Sequence, residues 1–125
     1  MSIVCAHAIA KSYPVGGRAL VVLRDLDLHD DAGEMVAIMG ASGVGKSTLL
    51  HLLGGLDRVD AGTVALGETE LTALADQDLV AFRNKHVGFV FQFHHLLPEF
   101  SALENAEMPM RIAPVSYTHL TLPTN

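Results

Sequence analysis

The sequence predicts an α/β fold in which a small β layer precedes a core of buried strands, and three features predict it. Residues 35–39 (Met35, Val36, Ala37, Ile38, Met39) are apolar throughout, as a strand covered on both faces requires. The glycine-rich run Gly40-Ala41-Ser42-Gly43-Val44-Gly45-Lys46-Ser47-Thr48 follows directly, and Leu49-Leu50-His51-Leu52-Leu53 continues it as a helix. A second apolar run at 87–91 reads as another buried strand further along the chain.

The elements are read in order. Residues 3–10 read as a strand and 11–17 as a loop. Residues 20–23 and 26–29 form a second strand region, broken at Arg24-Asp25. Asp30-Asp31-Ala32-Gly33 reads as a turn with Gly33 at positive φ. The helix from about Lys46 ends at Gly54-Gly55, a pair suited to a left-handed cap. Residues 62–67 form a short strand bracketed by glycines, and Asp76 caps a helix reaching about Asn84. Ser101 and Glu104 form a capping box opening a helix that Pro109 restricts.

Bulk composition narrows the function. At 125 residues and 50% hydrophobic the chain is one modest globular domain. A net charge of −6 argues against nucleic-acid binding and against electrostatic attachment to anionic lipid. No stretch approaches 18 uninterrupted apolar residues, and the N-terminus lacks the layout of a signal peptide. The single Cys5 cannot form an internal disulfide, which fits a reducing setting, and its apolar neighbours predict a buried strand residue rather than a nucleophile.

The glycine-rich run carries the chemistry. Gly40, Gly45, Lys46 and Ser47 match the spacing G-x-x-x-x-G-K-[ST] between a strand and a helix. Glycines let the backbone turn tightly, so that successive N–H groups and the helix N-terminus point at phosphate oxygens. Lys46 supplies a mobile cation for the terminal phosphates, and the Ser47 hydroxyl is a hard oxygen ligand for Mg²⁺. The rival reading is a glycine-rich turn that merely precedes a helix. Gln92 ends the apolar run 87–91, on the side of an open α/β sheet where ligands lie. Tyr13 either stacks on an adenine ring or fills a strand end. Phe93, Leu96, Leu97 and Phe100 form either a docking surface or part of the core. The adjacent His94 and His95 diverge in most backbones and have no Cys or His cluster nearby, which argues against zinc.

A phosphate loop, a glutamine ending a later buried strand and an upstream aromatic together resemble the ATP-binding subunits of ABC transporters. Within them, the stretches 49–57 and 91–105 look like the lipoprotein-releasing (LolD-type) subunits, and the similarity covers about residues 3 to 112. The resemblance implies a P-loop NTPase (RecA-like) core with an N-terminal antiparallel β subdomain, truncated before the helical subdomain is complete. It implies adenine stacking by Tyr13 and a Walker A loop in which Gly40, Ser42, Gly43, Gly45, Lys46, Ser47 and Thr48 hold ATP, with Lys46 on the β and γ phosphates and Ser47 on Mg²⁺. It makes Gln92 the Q-loop residue that helps hold Mg²⁺ and the attacking water, so that Lys46 and Gln92 are the catalytic candidates. Residues 93–100, Phe93 through Phe100, would lie beside transmembrane permease subunits. A second copy would complete a homodimer peripheral to the cytoplasmic face of the inner membrane, coupling ATP hydrolysis to lipoprotein release.

The chain departs from that family in its second half. It has no signature motif, no Walker B strand ending in Asp-Glu and no switch histidine. After Glu107 no acidic residue occurs, so the water-polarising base is missing and the chain alone is expected not to hydrolyse ATP. Residues 115–125, from Val115, resemble one reading frame of a transposase-type sequencing adaptor, which divides the chain into 1–114 and a non-native tail. A macrolide or peptide exporter and a cell-division ATPase are alternatives within the family; outside it, so is a non-enzymatic module on membrane partners. A GTPase is disfavoured because Asn84-Lys85 is followed by His86-Val87 instead of supplying the guanine-reading Asp. A P-loop kinase is disfavoured because Arg58, Arg83 and Arg111 are isolated.

Overall fold

The computed structural model describes residues 2–41, 43, 45–93 and 95–112. The chain divides into two compact units, Met1–Leu79 and Val80–Asn125. The proposed tail from Val115 lies outside the described residues.

The first unit is built on one antiparallel sheet. Strands β1 (Ser2–Val15) and β2 (Arg18–Asp31) form a long hairpin closed by Gly16 and Gly17, whose φ values are +57° and +79°. Two successive positive φ angles give a turn whose twist matches the strands. Strand β3 (Ala61–Leu66) pairs with the other edge of β1, and β4 (Thr69–Glu70) closes the order β2-β1-β3-β4. Register pairs Tyr13 with Leu20 and Ala6 with both Leu28 and Val64. The strand β1 therefore continues through the expected loop at 11–15. The expected break at Arg24-Asp25 is a bulge inside β2: both residues fall opposite Ala10, and Asp25 takes φ +48°.

Helix α1 (Lys46–Leu53) presents Leu49 and Leu52, three residues apart, to the interior. They join Ala6, Ile9, Leu23, Val64, Leu71 and Leu79 in the core. The helix ends in a Schellman motif: the Leu56 N–H donates to the His51 carbonyl at 2.8 Å and the Gly55 N–H to the Leu52 carbonyl at 3.3 Å. Gly55 takes the left-handed position at φ +78°, and a Cβ there would fall 2.9 Å from Leu79 Cδ1. Gly33, at φ +85°, likewise turns as its sequence predicts.

After a 3₁₀ turn at Leu71–Ala73, helix α2 spans Asp76–His86. Asp76 is its first residue rather than its cap: the Ala75 carbonyl accepts the first helical bond from the Leu79 N–H at 2.9 Å. The Asp76 carboxylate instead accepts from Arg58 Nη2 at 2.7 Å.

In the second unit, helix α3 (Ala102–Ile112) opens on the expected capping box. The Ser101 N–H donates to Glu104 Oε1 at 2.9 Å, and the Glu104 N–H donates to Ser101 Oγ at 3.1 Å. Pro109 does not end the helix, which continues to Ile112. The missing N–H costs only the ladder bond to the Asn105 carbonyl. Asn105 turns its side chain back on the preceding segment, donating to the carbonyls of Leu97, Phe100 and Ser101 and accepting from the Leu97 N–H at 2.8 Å. Glu107, 3% exposed, pairs with Arg111 one turn on.

Three expectations are corrected. Residues 35–39 and 87–91 are not strands. Met35 and Val90 are fully exposed and Met39 is 89% exposed. An all-apolar parallel strand exists through partners on both edges and cover on both faces, and among the described residues the only sheet is the antiparallel one, which ends at β2 and β4. Cys5 is a strand residue, as expected, but it is exposed on β1 rather than buried.

Two outcomes follow from this framework. Gly62 sits at φ +89° where a Cβ would lie 2.4 Å from the Ala8 carbonyl oxygen, so Gly62→Ala should destabilise the chain by more than about 1 kcal/mol, read as a lowered urea midpoint. The Ser101 N–H, followed by the Ser101 hydroxyl, holds the exposed Glu104 carboxyl below its ordinary value of 4.5. Carboxyl NMR should show Glu104 titrating below 4.5, with Ser101→Ala moving it part of the way back. The capping stabilisation is then present above the ordinary carboxylate range and is lost as pH falls through the depressed value.

Candidate functional site

The glycine-rich loop leads directly into α1. Gly43 and Gly45 take φ +82° and +98°, and Gly45 is the left-handed N-cap of the helix. A Cβ on Gly45 would come within 2.7 Å of Val22 Cγ1, so the loop passes close over β2 and requires glycine there. Among the described residues no side chain caps α1, and its first turn holds no carboxylate. The N–H groups at the start of an α-helix lack intrahelical partners and carry its positive partial charge, so this end suits a phosphate.

Lys46 bridges the loop's entrance. Its ammonium donates to the carbonyls of Gly40 at 2.5 Å and Ala41 at 2.7 Å. The ammonium thus ties the helix start to the carbonyls at the loop's entrance, and it carries three donors in all. Ser47 is exposed at the helix start and Thr48 is half-buried behind it. Ser42 lies outside the described residues. These groups fit a polyphosphate with a hard cation: backbone donors, one ammonium and one hydroxyl oxygen.

Tyr13 belongs to the same unit, on the far stretch of β1. Its hydroxyl donates to Asp57 Oδ2 at 2.9 Å. Lys11, whose side chain is only 11% exposed, donates to the Arg58 carbonyl at 2.7 Å and reaches Asp57 Oδ1 at 3.4 Å. It also stands 5.3 Å from the centre of the Tyr13 ring. Asp60 completes the cluster, its carboxylate accepting the Ser12 N–H at 2.7 Å. Partial burial alone would raise the Asp57 carboxyl, but the Arg58 N–H, the Tyr13 hydroxyl and the Lys11 ammonium outweigh it and hold Asp57 below its ordinary value.

The structure thus places Tyr13, Gly40, Gly43, Gly45, Lys46, Ser47 and Thr48 in one unit. Gln92 belongs to the other, exposed in the bend after residues 87–91. The side chains beside it face water: Phe93 is 72% exposed, and Leu96, Leu97 and Phe100 are exposed as well. Within that unit Phe91 stacks on Phe89 and meets His95 edge-on at 4.6 Å. Asp57, Lys11 and Asp60 escaped the sequence reading. Their only sequence signal is an Asp shortly after the Gly54-Gly55 helix stop, and nothing in that spacing names Tyr13 as its partner.

Among the described residues no helix is long and apolar enough to cross a membrane. The family model for the ABC transporter matches residues 23–121. A lipoprotein-releasing system ATP-binding protein LolD from Idiomarina loihiensis is 56% identical over 110 residues, covering 88% of this chain and 48% of the relative. The protein of the same name from Geobacter metallireducens is 49% identical over 115 residues, 92% of this chain and 51% of the relative. The chain spans about half the length of the curated relatives it matches. Among solved structures, a dimeric ATP-binding cassette in a post-hydrolysis state with ADP and Pi is 36% identical, with a TM-score of 0.83, over 91% of this chain and 50% of that one. A second dimeric structure of that bacterial ABC transporter cassette gives 0.85 at 35% identity, over 91% and 49%. The antiparallel sheet, the phosphate-type loop and α1 are therefore parts of an ATP-binding cassette fold, and the chain belongs to the ABC transporter family.

Proposed function

We propose that the chain is the N-terminal part of an ATP-binding subunit that couples ATP hydrolysis to the release of lipoproteins from the inner membrane. The observation that carries the reading is the loop before α1, where left-handed glycines, an uncapped helix N-terminus and the Lys46 ammonium converge. Gly40, Ser42, Gly43, Gly45 and Thr48 contribute backbone and hydroxyl donors to the phosphates, Lys46 places its charge on the β and γ oxygens, and the Tyr13 ring lies against adenine. Ser47 is the residue of the first unit that would hold Mg²⁺, with Gln92 as the candidate from the second; the ion would supply charge neutralisation on the phosphates. Gln92 orients the attacking water. The exposed apolar side chains from Phe93 to Phe100 dock on transmembrane permease subunits at the cytoplasmic face, and a second ATP-binding subunit completes the dimer. The names of the LolD relatives support the lipoprotein assignment.

Residues 115–125 are read as a non-native tail, and 1–114 as the cassette portion. The sequence holds no Walker B Asp-Glu pair, the expected source of a general base for water, and on that reading the chain alone binds nucleotide without turning it over.

Lys46→Ala tests the loop. Charge-assisted hydrogen bonds contribute roughly 1.5–3 kcal/mol, so the substitution should weaken ATP binding by about 10- to 150-fold in a titration with a fluorescent ATP analogue. Unchanged affinity would overturn the reading of the loop. Steady phosphate release by the purified chain would overturn the statement that it lacks a base.

A further inference from the structure

We propose that Asp57 is a positioning residue for base recognition: itself held by the Lys11 ammonium, it accepts from the Tyr13 hydroxyl and so fixes the Tyr13 ring as the surface on which the nucleotide base stacks. The proposal rests on the reading of Tyr13 as the adenine platform and adds a residue that acts only through it.

A stacking platform needs only a π face, and a phenylalanine would supply it. The hydroxyl of Tyr13 is instead engaged by a carboxylate from another element, 44 residues along the chain. The ring is therefore held at both ends, by its backbone in β1 opposite Leu20 and by its hydroxyl on Asp57. Lys11, its side chain largely buried, donates to the other carboxylate oxygen and to the Arg58 carbonyl.

The position of Asp57 is itself determined. The left-handed Gly55 and the Leu56-to-His51 bond turn the chain sharply off α1, so Asp57 emerges from the end of the helix whose start carries Lys46. Neither Asp57 nor Lys11 belongs to the phosphate loop, so their effect falls on the base and not on the phosphates.

The test compares binding of ATP and of inorganic triphosphate, which has no base, to the full chain and its variants. Asp57→Ala should weaken ATP about 2- to 12-fold, the range of one ordinary hydrogen bond, and leave triphosphate unchanged. Asp57→Asn keeps an acceptor oxygen for the Tyr13 hydroxyl and should restore most of the ATP affinity. In a Tyr13→Phe background Asp57→Ala should add nothing further, because the hydroxyl it held is gone. The chain has no Trp and two Tyr residues, so in a Tyr117→Phe background tyrosine emission reports release of the Tyr13 hydroxyl.

Equal loss of ATP and triphosphate in Asp57→Ala, or additive losses in the double variant, would overturn the proposal and make Asp57 a general structural residue. If Tyr13→Ala weakens ATP while Asp57→Ala does not, the positioning role falls and the platform stands. If Tyr13→Ala leaves ATP affinity unchanged, the platform falls and the positioning role with it.

Discussion

Strand β1 is paired on both edges, with β2 on one side and β3 on the other, and the arrangement of the first unit depends on that double pairing. Over residues 4–10 the strand is flanked on both sides, and it cannot slip there without moving its inward-facing set to the wrong face. Ile9, fully buried, anchors that register. Its consequences reach Lys11 and Tyr13, which stand further along the same strand and meet Asp57 and Asp60 only because the register brings them there. The loop over β2 depends on the same pairing, since Gly45 passes against Val22.

Helix α1 connects two chemistries that a sequence presents separately. At its start are the glycines and Lys46, suited to phosphate; at its end the Schellman turn delivers a carboxylate to an aromatic ring. Eight helical residues rise about 12 Å, which sets the distance between the two ends. A short helix of fixed length is a dependable ruler because its ladder bonds do not stretch, and the glycines at both ends let the chain turn on and off it.

Legibility in the sequence tracked how local the cause was. The phosphate-loop spacing, the left-handed turns at Gly33 and Gly55, and the box formed by Ser101 and Glu104 are set by neighbours within six residues, and each was readable before any fold was known. The extension of β1 through Tyr13 was not, since Lys11, Ser12 and Pro14 weaken strand propensity while pairing with Leu20 and Leu23 outweighs it. Residues 35–39 and 87–91 show the opposite error. Their composition describes a strand at the centre of a parallel sheet, and composition records the partners a segment is suited to without supplying them. The carboxylate at Asp57 was illegible for a third reason: its partner is 44 residues away, and only the fold makes them neighbours.

The open run at 35–39 bears on how the molecule behaves in bulk solution. Met35, Val36 and Met39 offer water a strip of apolar side chains that belongs to no strand. Such a strip is a template for intermolecular β pairing. The colloidal lifetime of the chain is therefore governed by concentration as much as by fold stability: dilution favours the monomer, and crowding favours a sheet continued by a neighbouring molecule.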